Sequence, residues 1–251
     1  MRASFFRGCK AFNAADATGG ATLRVPRRAA LLLGVSLLAA CTSKTQVPWA
    51  VQSSFGPPPA SSNPEPLVKG PQAIAALLAR GGYVIYMRHG RTQYDQIELE
   101  RTNRTNGSFS LDRCETQRQL SEEGRAEMKA TGEQFRAARI PLDKAFSSRY
   151  CRATQSAAFF VDGAVPTDNL SGEGEVGLNP AQKPRTIAFF SQRPAPGKNI
   201  YMMAHGGIFW EATGFVIQEG NAVVLDPQNL KVIMARIGPQ EWGSIAQARQ
   251  P

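Results

Sequence analysis

Short apolar runs recur along the chain from residue 83 onward, and they predict a set of β-strands. The runs at 83–87 (YVIYM) and 199–204 (NIYMMA) are continuous and apolar, which is typical of buried strands. Residues 144–147 indicate a further strand. Residues 223–225 and 232–237 are expected to form a late hairpin.

Helix-like spacings of apolar residues separate these runs. Ile74, Leu77 and Leu78 predict a helix over 71–80, which a proline opens and two glycines close. Ser121 is expected to cap another helix, because two glutamates follow it and favour the positive end of the helix dipole. The apolar face of that helix carries Met128, Phe135 and Ala138.

Two more helices are predicted over 150–161 and 208–216. Alternating strands and helices favour an α/β fold, specifically a three-layer α/β/α sandwich with a mostly parallel sheet. In such sheets the ligand site lies beyond the carboxyl ends of the strands. Residues that directly follow strands are therefore the first candidates for chemistry.

The N-terminal part of the chain looks like an export signal. Arg24, Arg27 and Arg28 precede the uncharged stretch 29–40 (AALLLGVSLLAA), which is shorter than the roughly 20 apolar residues of a membrane-spanning helix. The stretch ends in Leu-Ala-Ala-Cys at Cys41, which resembles the lipobox of bacterial lipoproteins. The resemblance implies that residues 1–40 are removed and that Cys41 is acylated. The alternative is an ordinary signal peptide with a chance cysteine near its cleavage site.

Residues 41–70 are rich in Pro and Ser and are expected to form an extended tether to a domain over 71–251. A loop packed on that domain is the alternative for the tether. The lipobox resemblance implies an exported lipoprotein of the bacterial cell envelope, with the outer membrane favoured over the inner. Arg27-Arg28 also resembles a twin-arginine signal, so Sec and Tat export both stay open.

Much of the net positive charge of the chain lies in the predicted leader. The 251-residue chain has a formal net charge of +9, but residues 1–40 hold six Lys or Arg and one Asp, so the remaining chain would carry +4. The chain also lacks a basic stripe with interleaved aromatic residues. We therefore expect no nucleic-acid partner.

The chain contains two histidines, and each follows a predicted strand directly. Arg88-His89-Gly90 follows the run at 83–87, and His205-Gly206 follows the run at 199–204. Two histidines and four scattered cysteines exclude a zinc ribbon or a multi-histidine metal cluster. A glycine beside each histidine lets the backbone approach a ligand closely.

These motifs resemble those of the histidine phosphatase superfamily, branch 1, whose members have the phosphoglycerate-mutase-like fold. The family's Arg-His-Gly triplet matches 88–90, with Thr92 two residues on. Its second arginine segment matches 147–157 (SSRYCRATQSA), which contains Arg152. Its late His-Gly pair matches His205-Gly206, and 117–125 (QRQLSEEGR) is similar to the entrance of its first helix.

The resemblance implies a role for each matching residue. His89 would be the nucleophile that becomes phosphohistidine, and Arg88, Arg152 and His205 would form a phosphate pocket. Thr92 and Gly206 would also contact the substrate, and no metal or cofactor would be required. The residue types suit this chemistry, because guanidinium groups are always charged and bind phosphate oxygens bidentately.

The proton donor of the leaving group is less well marked. In branch 1 it is a glutamate after the second arginine helix, and the candidates here are Glu173 and Glu175 in the sequence 170–175 (LSGEGE). We choose Glu173, with Glu175 as the other candidate. The alternative is that both are solvated loop acids.

Cys114 and Cys151 form the pair that remains if Cys9 is removed with the leader and Cys41 is acylated. In an oxidising envelope compartment we expect a disulfide between them. Two independent buried thiols are the alternative.

The sequence thus predicts an envelope-anchored phosphatase that hydrolyses a phosphomonoester or phosphoanhydride of a small molecule or glycan. The membrane contact would be made through lipidated Cys41. Specificity is expected to lie in the insert at 93–113 and in the loop around Gly172. The alternative function is a non-catalytic lipoprotein that binds a phosphorylated glycan or lipid in a retained pocket.

Overall fold

A six-stranded sheet runs through the described part of the chain, residues 69–172 and 177–250, in this computed structural model. Its strands, in the spatial order β3-β2-β4-β1-β5-β6, are β1 (Val84–Arg88), β2 (Leu142–Ser148), β3 (Val165–Thr167), β4 (Asn199–Ala204), β5 (Ala222–Leu225) and β6 (Val232–Ile237). The first four in that order are parallel, whereas β5 and β6 pair antiparallel. The prediction of a mostly parallel sheet with a late hairpin is confirmed.

Helices cover both faces of the sheet. The described helices are α1 (Pro71–Arg80), α2 (Ile97–Thr105), α3 (Glu122–Ala137), α4 (Cys151–Ala157), α5 (Lys183–Phe190), α6 (Gly206–Thr213) and α7 (Pro239–Ala248), with 3₁₀ helices at Tyr94–Gln96, Cys114–Thr116 and Asp168–Leu170. α1, α3 and α7 pack with Ile85 and Met87 of β1 in one core cluster. α5 and α6 pack in a second cluster with Val84 and Tyr86, which point to the opposite face. The fold is the expected three-layer sandwich.

Local signals in the sequence place two of these helices correctly. α1 occupies Pro71–Arg80, as predicted. α3 begins after Ser121, whose hydroxyl accepts a hydrogen bond from the Gly124 N–H at 3.0 Å. Met128, Phe135 and Ala138 are buried, so the predicted apolar face of α3 is the one that meets the sheet.

Other elements differ from the predictions. The helix predicted over 150–161 begins at Cys151 and ends at Ala157, because the amides of Phe159 and Phe160 bond to carbonyls three residues back and tighten the chain into turns. The helix predicted over 208–216 begins at Gly206 and ends at Thr213, since Gly214 adopts the left-handed conformation at φ 72°. β3 was not predicted; it has three residues, one of them a proline, which an edge strand tolerates.

The N-terminal predictions concern residues that lie outside the described part of the chain. Residues 1–68 include the predicted leader, Cys41 and most of the predicted tether. Within the described ranges, no helix is both long enough and apolar enough to cross a membrane.

A disulfide joins Cys114 to Cys151, with 5.6 Å between the two Cα atoms. The predicted disulfide is therefore present. It connects the 3₁₀ helix that directly follows the insert to the first residue of α4. Beside it, the Gln117 side chain accepts the Cys151 N–H at 2.9 Å and donates to two carbonyl groups of the insert.

We expect the double variant Cys114→Ser/Cys151→Ser to lose about 3 to 4 kcal/mol of unfolding free energy, because the bond closes a loop of 37 residues in the unfolded chain. Urea denaturation of the two proteins measures the difference. Wild-type protein unfolded with a reductant should match the variant. An unchanged urea midpoint in both would contradict this prediction.

Candidate active site

Three neighbouring parallel strands end at one place and deliver the candidate residues. Arg88, the last residue of β1, pairs with Ala204, the last residue of β4, so His89 and His205 emerge side by side. Their ring centroids are 5.2 Å apart. β2 ends at Ser148 on the other side of β4, and α4 with Arg152 begins three residues later.

His89 is fully buried, and its two ring nitrogens have different neighbours. Nδ1 lies 2.8 Å from the carbonyl oxygen of Gly90. Because a carbonyl only accepts, Nδ1 carries the hydrogen and Nε2 keeps its lone pair. Nε2 in turn accepts a hydrogen bond from Nε of Arg152 at 3.3 Å. The imidazole is thus held as the tautomer whose Nε2 is the nucleophilic atom, directly beside a guanidinium group.

His205 is also fully buried and lies at the start of α6. The hydroxyl of Tyr86 donates to the His205 carbonyl at 2.7 Å and accepts the His205 N–H at 3.1 Å, which fixes the backbone. Nε2 of the ring is hydrogen-bonded to Oγ of Ser148 at 2.8 Å. A β2 residue therefore orients the histidine that follows β4.

Tyr150 packs against two members of the predicted phosphate pocket. Its ring lies 4.5 Å from the guanidinium carbon of Arg152, and its centroid lies 4.7 Å from that of His205. Its hydroxyl accepts a hydrogen bond from Arg104. Burial raises the pKa of Tyr150, although the charge of Arg104 opposes that rise. The phenol is therefore neutral and serves as an apolar wall with one polar contact.

The guanidinium of Arg88 lies on the other side of the site. It donates to the carbonyl of Ile217 at 3.2 Å and to Oε1 of Glu219 at 3.4 Å. The hydroxyl of Thr92 donates to the same carboxylate oxygen at 3.2 Å. A Cβ at Gly206 would come within 3.2 Å of the Arg88 guanidinium, so a glycine there allows the arginine to pack against the start of α6.

A carboxylate from the insert reaches the site as well. Oε2 of Glu100, on α2, accepts from Nη1 of Arg152 at 2.9 Å and from the Arg118 N–H at 2.8 Å. Oε1 accepts from Arg104 at 3.0 Å. Burial by itself raises the pKa of Glu100, but the charge of Arg152 and the hydrogen bonds from Arg118 and Arg104 lower it below the usual glutamate value. Glu100 is therefore ionised at neutral pH.

This arrangement combines a neutral imidazole nitrogen with buried cations. A nucleophile needs an available lone pair, and a phosphoryl dianion needs positive charge around its oxygens. Nε2 of His89 supplies the first, and Arg152, with an exposure of 0%, supplies a charge that solvent screens weakly.

A match to a protein family agrees with this geometry. Residues 84–177 match the model of the histidine phosphatase superfamily (branch 1). Over these residues the chain is similar to members of that family. The matched residues include Arg88, His89, Thr92 and Arg152. It ends before His205, whose assignment rests on its motif and on its position beside His89.

Solved structures similar to this chain come from several sources. The protein histidine phosphatase SixA complexed with tungstate is 14% identical, with 63% of this chain and 97% of that chain covered and a TM-score of 0.44. TTHB049 from Thermus thermophilus is 19% identical, with 61% and 98% covered and a TM-score of 0.41. The mycobacterial glucosyl-3-phosphoglycerate phosphatase complexed with VO3 is 17% identical, with 58% and 92% covered and a TM-score of 0.40. No curated protein sequence matches the chain significantly. Similarity at this level carries no information about the substrate.

The predicted site residues fall into two groups. Arg88, His89, Thr92, Arg152, His205 and Gly206 lie together at the strand ends. Glu173 and Glu175 lie within 173–176, outside the described residues, so their role stays a prediction. In the described ranges, no group of three or more His, Cys, Asp or Glu side chains could hold a metal ion.

Sequence reasoning missed Glu100, Tyr150 and Glu219. Tyr150 lies in the second arginine segment, 147–157, two residues before Arg152, and this position could have indicated that it lies near the site. The predicted disulfide was a second signal, because it draws the insert that contains Glu100 towards the helix that contains Arg152. Nothing in the local sequence marks Glu219.

Proposed function

We propose that this chain is a phosphatase that hydrolyses a phosphomonoester, or a phosphoanhydride, through a phosphohistidine on His89. The observation that carries the proposal is the contact between Nε2 of His89 and the buried guanidinium of Arg152. It supplies a nucleophile and a cation at the same point. Arg88, His205, Thr92 and Gly206 are proposed to complete the substrate site.

The proposed reaction has two steps. Nε2 of His89 forms a bond to phosphorus while the bond from phosphorus to the leaving oxygen breaks. Water then attacks phosphorus, the bond to Nε2 breaks, and its electron pair returns to the imidazole. Arg152 and His205 are proposed to stabilise the charge on the transferring phosphoryl oxygens, which is the main catalytic requirement of phosphoryl transfer.

Envelope anchoring is proposed from the N-terminal sequence. The basic and apolar residues before Cys41 support export and acylation, and the Pro/Ser-rich stretch after it supports a tether. A mutase of this fold would need a bisphosphorylated cytosolic cofactor, so export favours hydrolysis. The substrate is proposed to be a phosphorylated small molecule or glycan.

Hydrolysis of an aryl phosphate in the presence of a chelator tests the activity. The wild-type protein should release phosphate and should form an acid-labile, alkali-stable phosphoenzyme during turnover. Binding of phosphate esters without turnover would instead support the non-catalytic alternative. A panel of phosphorylated metabolites and glycans, ranked by kcat/KM, would then identify the substrate class.

A further inference from the structure

Glu100 is the part of the insert that contacts the reaction centre. It lies on α2, and its carboxylate is bound to Arg152, which is bound to the predicted nucleophile His89. Its side chain is 12% exposed, so Glu100 is not sealed from solvent as Arg152 is. The insert is held in this position by the disulfide and by Gln117.

A second partly buried carboxylate provides a contrast. Glu219 contacts Arg88, Thr92 and Arg118. Its contacts position the Arg88 guanidinium. Glu100 instead binds the same arginine as the predicted nucleophile.

Substrate binding changes the electrostatics at Glu100. In the free protein, the charges of Arg152 and Arg104 and the Arg118 N–H keep the carboxylate ionised. A phosphoryl dianion bound to Arg152 adds negative charge beside it and competes for the same guanidinium hydrogens. Like charges at short distance favour protonation of one of them, so a dianion bound beside Glu100 favours its protonated form.

We propose that Glu100 takes up a proton from solvent when the substrate binds and then donates it to the leaving group, an inference that rests on the proposed phosphatase function. When Nε2 of His89 bonds to phosphorus, the electron pair of the breaking bond moves to the leaving oxygen. That oxygen receives the proton of the Glu100 carboxylic acid, which releases an alcohol and leaves the carboxylate. In the second step the carboxylate accepts a proton from the attacking water, and the bond from phosphorus to Nε2 breaks. Glu100 returns that proton to solvent as inorganic phosphate leaves, so the cycle closes with a free imidazole and an ionised carboxylate.

The variant Glu100→Gln, assayed with a series of leaving groups, tests the proposal. The comparison uses kcat/KM for p-nitrophenyl phosphate, phenyl phosphate and an alkyl phosphate, because this ratio reports the step that breaks the ester bond. An acidic leaving group needs no proton, whereas an alkoxide does. We expect kcat/KM to fall by about 10²- to 10³-fold for the alkyl phosphate and by less than about 10-fold for p-nitrophenyl phosphate.

Three control variants separate this role from others. Glu98→Gln removes an exposed carboxylate of the same helix, paired with Arg101, and should leave the activity unchanged. Glu219→Gln removes a carboxylate that positions Arg88 and should slow all leaving groups by a similar factor. Glu173→Gln tests the proton donor predicted from the sequence and should show no dependence on the leaving group.

Two outcomes would overturn the inference. An equal loss for every leaving group in Glu100→Gln would make Glu100 a positioning residue for Arg152. A loss confined to poor leaving groups in Glu173→Gln, but absent in Glu100→Gln, would identify Glu173 as the proton donor, as the sequence predicts. Both results require an active wild-type protein, so an inactive wild type would refute the proposed function itself. Thermal unfolding of each variant excludes loss of folded protein as the cause.

Discussion

Replacement of His89 by alanine is expected to remove phosphatase activity, with kcat/KM lower by at least about 10⁴-fold, as in other enzymes that lose a covalent nucleophile. The contact of Nδ1 with the Gly90 carbonyl leaves the lone pair of His89 on Nε2, which is the attacking atom. Alanine has no side-chain atom that can attack phosphorus. The variant should also form no acid-labile phosphoenzyme. Steady-state assays and labelling with ³²P-phosphate ester measure both effects.

The loss must come from chemistry rather than unfolding. His89 is fully buried, so the variant is compared with wild type by circular dichroism and thermal unfolding. Lys129→Ala, at an exposed position on α3, serves as the matched control and should keep full activity. Turnover by His89→Ala above about a hundredth of the wild-type rate would refute the assignment of the nucleophile.

The parts of the fold that follow from local sequence could be predicted. α1 has a proline at its start, glycines at its end and a regular apolar spacing, and all of these act within one helix. β1 and β4 are continuous runs of apolar residues, so each can be predicted as a buried strand without knowing which strands it pairs with. α2 has no buried residue and no apolar stripe, so its helix has no signal in the hydrophobic pattern.

The candidate site divides in the same way. His89, Arg152 and His205 lie in short motifs that a resemblance can match residue by residue. Glu100 reaches Arg152 across 52 positions of sequence, and Glu219 reaches Arg88 across 131. Such contacts depend on how loops pack over the strand ends, and loop packing leaves no periodic pattern in the sequence.

Arg152 connects more groups of the site than any single motif suggests. Its guanidinium donates to the predicted nucleophile and to Glu100, and it packs on the ring of Tyr150. The guanidinium is planar and presents several N–H groups at fixed angles. A lysine ammonium has no such planar arrangement and cannot keep these contacts together.

We therefore expect Arg152→Ala to lower kcat/KM by about 10³-fold, and Arg152→Lys by about 10²-fold, because each loses preorganised charge at the transferring phosphoryl group. The alanine variant also leaves the Glu100 carboxylate without its closest cation, which raises the pKa of Glu100 towards its usual value. Arg149→Ala is the matched control: Arg149 is 36% exposed and pairs with Asp112 and Asp168, so its loss should change kcat/KM by less than about 5-fold. Equal losses for Arg149→Ala and Arg152→Ala, or retention of a tenth of wild-type kcat/KM by Arg152→Ala, would contradict the central role of the buried guanidinium.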